Sequence, residues 1–292
     1  LGLKELGVTL VEDGDPQPPN FVYANDEPRW QEAIDYSLSF TSAPERPQYQ
    51  ITLLLNVLDI PEHSPNCDFG ALDARLSKAT SITCISPFVH SQIQRIFGFN
   101  AAVIWNPIKA INSDERKAGV KKYPYRFLMA GRLRDPGKRA ELAIRALIAA
   151  GVKEEEVAVV GGEWPNWGTN LGIVDDEKLN SLYNSVDFVM MTSQFEGLGL
   201  PCAESLAGGA VPILCSDLTT LQDLGVPRRW GCYPSVYSLG HWILTLLNNP
   251  ALLASEKQVA EQIGQTIRTE LSGRRVAERL LQVYQQFQPQ PS

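Results

Sequence analysis

Short apolar runs alternate with helix-patterned segments along almost the whole chain, and this alternation restricts the fold more than any other feature. Ile51–Leu58 reads ITLLLNVL, a near-continuous apolar run of the kind found in strands buried on both faces. Further strands are predicted at Val8–Val11, Phe21–Ala24, Ser81–Ile85, Ala101–Trp105, Tyr125–Gly131, Val157–Gly162, Phe188–Thr192 and Val211–Cys215. Helices are predicted at Pro28–Ser39, Pro87–Phe97 and Lys138–Ala150, where Ala140, Ala143, Ile144, Leu147 and Ile148 keep helical spacing. Asp175 can cap another, one starts near Pro201, and Val236–Leu247 is a further one. The last runs roughly from Leu252 to Phe287, with a break near Ser272-Gly273. Alternation of this kind predicts an α/β protein built on parallel, doubly wound sheets.

The 292 residues suffice for two domains, and 44% hydrophobic content supplies their cores. The polar stretch Lys109–Lys122 reads as a linker between a first domain, residues 1–111, and a second, residues 112–292. The last helix can pack back on the first domain. The opening words LGLKELGVTLVED look like a helix end followed by a strand, so the first domain is expected to be short of its opening strand. A net charge of −7 and a pI near 5.1 argue against nonspecific nucleic-acid binding. No run approaches the roughly 18 apolar residues of a membrane span, and no secretory h-region opens the chain. The five cysteines are scattered with no C-x-x-C, so neither a zinc site nor a disulfide framework is expected, and a reducing cytoplasm is the default.

The segment Phe188–Ser216, FVMMTSQFEGLGLPCAESLAGGAVPILCS, carries the densest chemistry. Glu196 and Glu204 bracket seven residues, with a glycine-rich turn between them and an apolar strand pattern on each side. Strand, loop, helix N-terminus and strand in that order make the setting in which open α/β sheets bind phosphorylated ligands. A second constellation is Gly131-Arg132-Leu133 followed by Lys138. Arg132 leaves a strand at its carboxyl end and Lys138 is expected at the start of the next helix. Two cations and helix N-termini there can neutralise a diphosphate without a metal.

The segment resembles the E-x7-E signature of retaining glycosyltransferases of the GT-B fold, specifically the family 4 group. That group reads roughly E-G-F-G-L-P-x-x-E-A-M-A-C-G-x-P-V-I. In this chain Leu198 replaces the usual Phe, Ser205-Leu206 replaces Ala-Met, Gly208 replaces Cys, and the Pro is shifted by one residue to Pro212. The G-R-L…K-G pattern of the same group is met with one extra residue, and Arg139 stands where Gly is common. Ser86–Phe88 and Asn106–Ile108 match words common in the group's first domain.

The resemblance implies two Rossmann-like domains facing a cleft, and transfer of a hexose from a nucleoside diphosphate sugar to an acceptor hydroxyl with retained configuration. It assigns Arg132 and Lys138 to the leaving diphosphate, Glu196 to the donor sugar and Glu204 to the nucleotide ribose. Gly131, Gly162 and the stretch Gly197, Leu198, Gly199 and Leu200 would approach the donor through their backbone. No cofactor beyond the donor and no metal is implied, since the candidate donor region has no D-x-D. The acceptor, whether saccharide, lipid or small molecule, is not readable. A lipid acceptor would bring the chain to a membrane surface, although no basic amphipathic helix demands it.

Weaker candidates surround these. The nucleobase is expected near Gly161-Gly162 and Leu171-Gly172, where Trp164 and Trp167 either stack on it or pack a loop. His63 and Asp59 follow a strand of the first domain and either contact sugar or acceptor or are ordinary loop residues. Cys202 reads as a packing residue, at a helix start that lowers thiol pKa. Three other functions fit parts of the pattern. A nucleotide-sugar-binding module without turnover is favoured by the lack of a glycine-rich loop in the first domain. A GT-B epimerase is disfavoured by the E-x7-E segment. A dinucleotide oxidoreductase is disfavoured by the lack of G-x-G-x-x-G after any strand.

Overall fold

A computed structural model describes residues 21–25, 27–41, 52–58, 60, 67–109, 122–162, 166–215 and 219–287. The strand expected at Val8–Val11, most of the expected linker, Trp164, and the candidates Asp59 and His63 lie outside these residues. The chain forms two compact units. One combines Leu1–Pro107 with Gly273–Ser292, and the other is Ile108–Ser272.

The first unit holds β1 (Phe21–Ala24), α1 (Glu27–Thr41), β2 (Thr52–Val57), α2 (Phe69–Leu76), β3 (Ser81–Cys84), α3 (Pro87–Phe97) and β4 (Ala101–Val103). The described strands form a parallel sheet in the order β1-β2-β3-β4. Every residue of β2 is buried, which is why its apolar run is unbroken except at Asn56. That amide is fully buried and therefore paired. Its Nδ2 donates to Asn25 Oδ1 (3.1 Å), and its Oδ1 accepts from the Thr83 hydroxyl (2.8 Å). The unit closes with α9 (Gly273–Gln285) from the far end of the chain. Leu280 and Val283 of that helix pack on Leu54 and Ile104, and the rings of Phe21 and Tyr284 lie 4.7 Å apart.

The second unit holds β5 (Phe127–Ala130), α4 (Ala140–Ala149), β6 (Val157–Val160), β7 (Thr169–Asn170), α5 (Asp176–Ser185) and β8 (Phe188–Met191). It continues with α6 (Leu200–Ala207), β9 (Val211–Cys215), β10 (Gly231–Cys232), α7 (Val236–Asn248) and α8 (Pro250–Glu270). Its strands are parallel, in the order β10-β9-β8-β5-β6-β7. Counted from β5, that is the 3-2-1-4-5-6 order of a Rossmann sheet, whose direction of winding reverses between β5 and β8. All residues of β6, β8 and β9 are buried, as strands covered by helices on both faces require.

Two local details differ from the sequence reading. Lys138 does not start a helix. Pro136–Lys138 forms a 3-10 turn capped by Asp135, Arg139 then takes a left-handed conformation (φ 49°, ψ 39°), and α4 begins only at Ala140. The helix α2 was not predicted, because it buries only Leu76 and its start rests on the Asp68 carboxylate accepting from Ala71 N–H (2.9 Å).

The helix that follows the glycine-rich turn is clamped by its neighbours. A Cβ on Gly264 of α8 would lie 2.0 Å from the Leu206 carbonyl oxygen, so only glycine lets α8 approach α6 this closely. The Arg268 guanidinium of α8 donates to the Ala207 carbonyl at the end of the same helix. Gly264→Ala must push backbone against backbone and is expected to lower stability by about 1–3 kcal/mol, the usual range for overpacking. Urea unfolding of the two proteins measures the difference.

Candidate active site

The site is assembled where the winding of the second sheet reverses. The loop after β5 carries Gly131, Arg132 and Lys138; the loop after β8 carries Ser193, Glu196 and the glycine-rich turn. Crossovers from β5 and β8 leave for opposite faces of the sheet, which opens a crevice between their carboxyl ends. Three backbone-anchored bonds stitch the two loops together. The Thr192 hydroxyl donates to the carbonyls of Lys138 (2.9 Å) and Arg139 (3.1 Å), and Gln194 N–H donates to the Gly137 carbonyl (2.7 Å).

This stitching places Lys138 beside Glu196. The ammonium donates to Glu196 Oε1 at 2.5 Å, and the buried Ser193 hydroxyl donates to the same oxygen at 2.7 Å. Both partners are mostly shielded, with side-chain exposures of 20% and 14%. A shielded pair of this kind is held in one geometry rather than fluctuating in solvent. Arg132 leaves the same loop and is exposed.

Downstream, Gly199 precedes α6 and offers no side chain to cap it; Pro201 has no N–H, and the Cys202 N–H donates to the Gly199 carbonyl (2.9 Å). Leu198 is buried and anchors the turn, while Gly197 and Leu200 are half-buried. Glu204 lies on α6, one turn further along. Its carboxyl is pushed above the ordinary value by burial, against the opposing effects of a hydrogen bond with the Tyr183 hydroxyl and the nearby Lys109 charge, with Asp176 adding to the rise. Tyr183 is buried, and burial with the adjacent Glu204 raises its own pKa well above normal. Lys109 forms an ion pair with Asp176, both half or more exposed.

The glycines after β6 take part in the same edge of the sheet. Gly161 donates to the Gly172 carbonyl (3.0 Å), and a Cβ on it would lie 2.2 Å from the Gly131 carbonyl oxygen. Gly162 faces open space, and Trp167 is half-buried. Cys202 is the packing residue expected, but its thiol does not follow the helix-start effect. It sits in the first turn of α6, yet it is fully buried, and burial with the nearby Glu196 charge raises its thiol pKa rather than lowering it. No disulfide joins any of the five cysteines.

Of the expected site residues, then, the structure joins Lys138 to Glu196 and sets Arg132, Gly131 and the turn Gly197–Leu200 on the two converging loops. Glu204 sits on the adjoining helix. The sequence reading missed Tyr183, Ser193 and Lys109. Tyr183 lies beside Leu182 in α5, and nothing in the local sequence marks its hydroxyl as the partner of Glu204.

No family model matches this chain, and no curated protein matches it in sequence. Solved structures do resemble it. Sucrose-phosphate synthase from Thermosynechococcus elongatus superposes with a TM-score of 0.69 at 18% identity, over 91% of this chain and 73% of that one. HepE from Anabaena, solved with UDP and glucose, gives 0.69 at 18% identity, over 92% and 78%. A glycosyltransferase from Rickettsia africae gives 0.65 at 15% identity, over 97% and 78%. The fold is that of the GT-B glycosyltransferases, with Rossmann-like units.

Two outcomes follow from the site's strain. Arg139 is the non-glycine residue with positive φ among those described. A left-handed L-residue costs about 1–2 kcal/mol, so Arg139→Gly should be more stable than Arg139→Ala by about that amount; both lose the same side chain, and paired denaturation curves read the difference. For Glu204, above both pKa values the folded chain holds a carboxylate that its surroundings disfavour, so folding is penalised. The penalty fades as pH falls through the raised folded value and is absent below the unfolded one. Glu204→Gln keeps an acceptor for Tyr183, and its Tm should exceed that of the parent near neutral pH, with the gap closing toward about pH 4.

Proposed function

We propose that the chain is a retaining, metal-independent glycosyltransferase of the family 4 type. It would transfer a hexose from a nucleoside diphosphate sugar to an acceptor hydroxyl in the cytoplasm. The observation that carries this reading is the convergence of Arg132, the Lys138–Glu196 pair and the glycine-rich turn before α6 at the reversal point of one Rossmann sheet. In this reading the second unit holds the donor and the first holds the acceptor. Arg132 and Lys138 take the charge that develops on the leaving diphosphate. Glu196 accepts sugar hydroxyls. Glu204, on a helix clamped from behind, accepts the ribose diol, and the backbone of Gly131, Gly162 and Gly197–Leu200 lets the donor approach closely. Catalysis rests on positioning and electrostatics, with attack from the face the leaving group departs and no covalent intermediate on a carboxylate.

HepE was solved with UDP-glucose, and TarM from S. aureus with UDP. UDP is therefore the first nucleotide to test. The first experiment is a thermal-shift panel of UDP, GDP, ADP and their hexose conjugates without added metal. A selective shift from one nucleotide, equivalent to about 2.7 kcal/mol at a hundred times its dissociation constant, is expected, and it should be lost in Arg132→Ala and Glu204→Ala. Anomeric NMR of the transferred sugar then reads retention. No shift with any nucleotide would remove the donor site and the reading with it; a shift without turnover would leave a nucleotide-sugar binder.

A further inference from the structure

Lys109 follows Ile108, the first residue of the second unit, and its backbone is fixed there. Ile108 is buried, and its N–H donates to the Leu271 carbonyl at the end of α8 (3.0 Å). The Lys109 ammonium donates to Asp176 in the first turn of α5. Asp176 and Tyr183 stand two turns apart on α5 and so share a face of that helix. The same face meets α6. The Tyr183 hydroxyl is hydrogen-bonded to Glu204, and a Cβ on Gly208, one turn past Glu204, would lie 2.9 Å from the Tyr183 backbone. Burial raises the Glu204 pKa most and the Tyr183 bond opposes it; next come the Lys109 ammonium, which lowers it, and the Asp176 carboxylate, which raises it. The Lys109 ammonium is therefore in direct contact with one carboxylate and within electrostatic reach of a second.

An exposed ion pair contributes little to stability, and the side chains of Lys109 and Asp176 are 55% and 63% exposed. That exposure leaves the ammonium open to a ligand. An ammonium has three N–H donors and no acceptor; among the described residues Asp176 takes one of the three. Glu204, half-buried on α6, offers the opposite when ionised, acceptors alone. Each hydroxyl of a ribose diol is a donor and an acceptor at once. A carboxylate satisfies the hydroxyl hydrogens and leaves the oxygen lone pairs to water. A nearby ammonium supplies the donor that is missing.

Taking Glu204 as the ribose contact of the reading above, we propose that Lys109 is a second ribose-binding residue, donating to a diol oxygen while Glu204 accepts from the diol hydroxyls. Together they make the site selective for ribonucleotides over nucleotides that lack the diol. Asp176 holds the ammonium in place until the ligand arrives.

Calorimetric titration of UDP and of 2′,3′-dideoxy-UDP tests this, with the GDP or ADP pair in their place where the thermal-shift panel selects that base. The quantity read is the ratio of the two affinities, in which the attraction of any cation for the diphosphate cancels. Lys109→Met should lower the ratio roughly five- to thirtyfold, the loss of a charge-assisted hydrogen bond discounted for exposure, by weakening UDP and sparing the dideoxy analogue. In a Glu204→Gln background no carboxylate charge is left for the lysine to support, and Lys109→Met should lower the ratio again. Lys109 is exposed, so the variant should melt without ligand close to the parent, which separates lost binding from lost folding. An unchanged ratio in Lys109→Met, whether from no loss or from equal loss of both ligands, overturns the proposal and leaves the donor site standing. So does a second substitution that adds nothing in the Glu204→Gln background, since the lysine would then act only through the carboxylate. A parent that binds UDP and its dideoxy analogue equally removes the ribose role of Glu204 and of Lys109 together, and a parent that binds no nucleotide removes the donor site itself.

Discussion

The three hydrogen bonds that tie the loop after β8 to the turn before α4 are the constraint on which the site depends. Strand order alone brings the two loops to the same edge of the sheet, because β5 and β8 are neighbours whose crossovers diverge. Proximity would still leave Lys138 and Glu196 on separate, independently moving segments. Thr192 and Gln194 remove that freedom by bonding to backbone carbonyls, whose positions do not change with rotamer. The ion pair is then the consequence of a fixed frame. A lysine and a glutamate 58 positions apart in sequence meet at hydrogen-bond distance.

Several features of this edge cost stability. Arg139 is held left-handed, and the Glu204 carboxyl is buried enough to have its pKa raised. These costs persist because the surroundings over-determine them. α6 is fixed between α8, through Gly264 and Arg268, and α5, through the close approach of Gly208 to the Tyr183 backbone. Glu204 therefore cannot swing out to water without disturbing a packed helix. Tyr183 gives it a hydrogen bond at the cost of burying a phenol. Strain concentrated at one end of a sheet, with well-packed helices behind it, is the pattern expected of a site rather than of a scaffold.

Much of this was legible in the sequence, for identifiable reasons. Pro87–Phe97 and Val211–Cys215 were read with their observed bounds, and Asp175 caps its helix as read, since the caps, the Pro at the first position and the unbroken apolar runs are local signals. The break near Ser272-Gly273 separates α8 from α9 as read. The two-residue edge strands β7 and β10 were not legible, because two residues carry no periodicity and exist only through pairing with a neighbour. The start of α4 was misplaced because a left-handed Arg has no sequence signature; local propensity favours glycine there. In the site, Arg132, Lys138, Glu196 and Glu204 could be picked out by their spacing within strand–turn–helix words. The pairing of Lys138 with Glu196 and the bond from the Tyr183 hydroxyl to Glu204 are products of tertiary contact and leave no local trace.

The Lys138–Glu196 pair also bears on how the proposed reaction would begin. Shielding both partners costs desolvation, and such pairs contribute little net stability. Removing one partner, in contrast, strands a shielded charge. The pair therefore holds the ammonium in place while no ligand is present, without requiring water to solvate it. In the proposed reaction an arriving diphosphate would supply a second set of anionic oxygens to the same ammonium. Under that proposal Lys138 would be shared or exchanged without losing a counter-charge, and Glu196 would gain acceptor capacity as a sugar hydroxyl arrives. The Ser193 hydroxyl, bonded to the same carboxylate oxygen, keeps Glu196 oriented through that exchange. On this argument the ion pair is a stored orientation for ligand capture, and its geometry matters more to the site than any stability it adds.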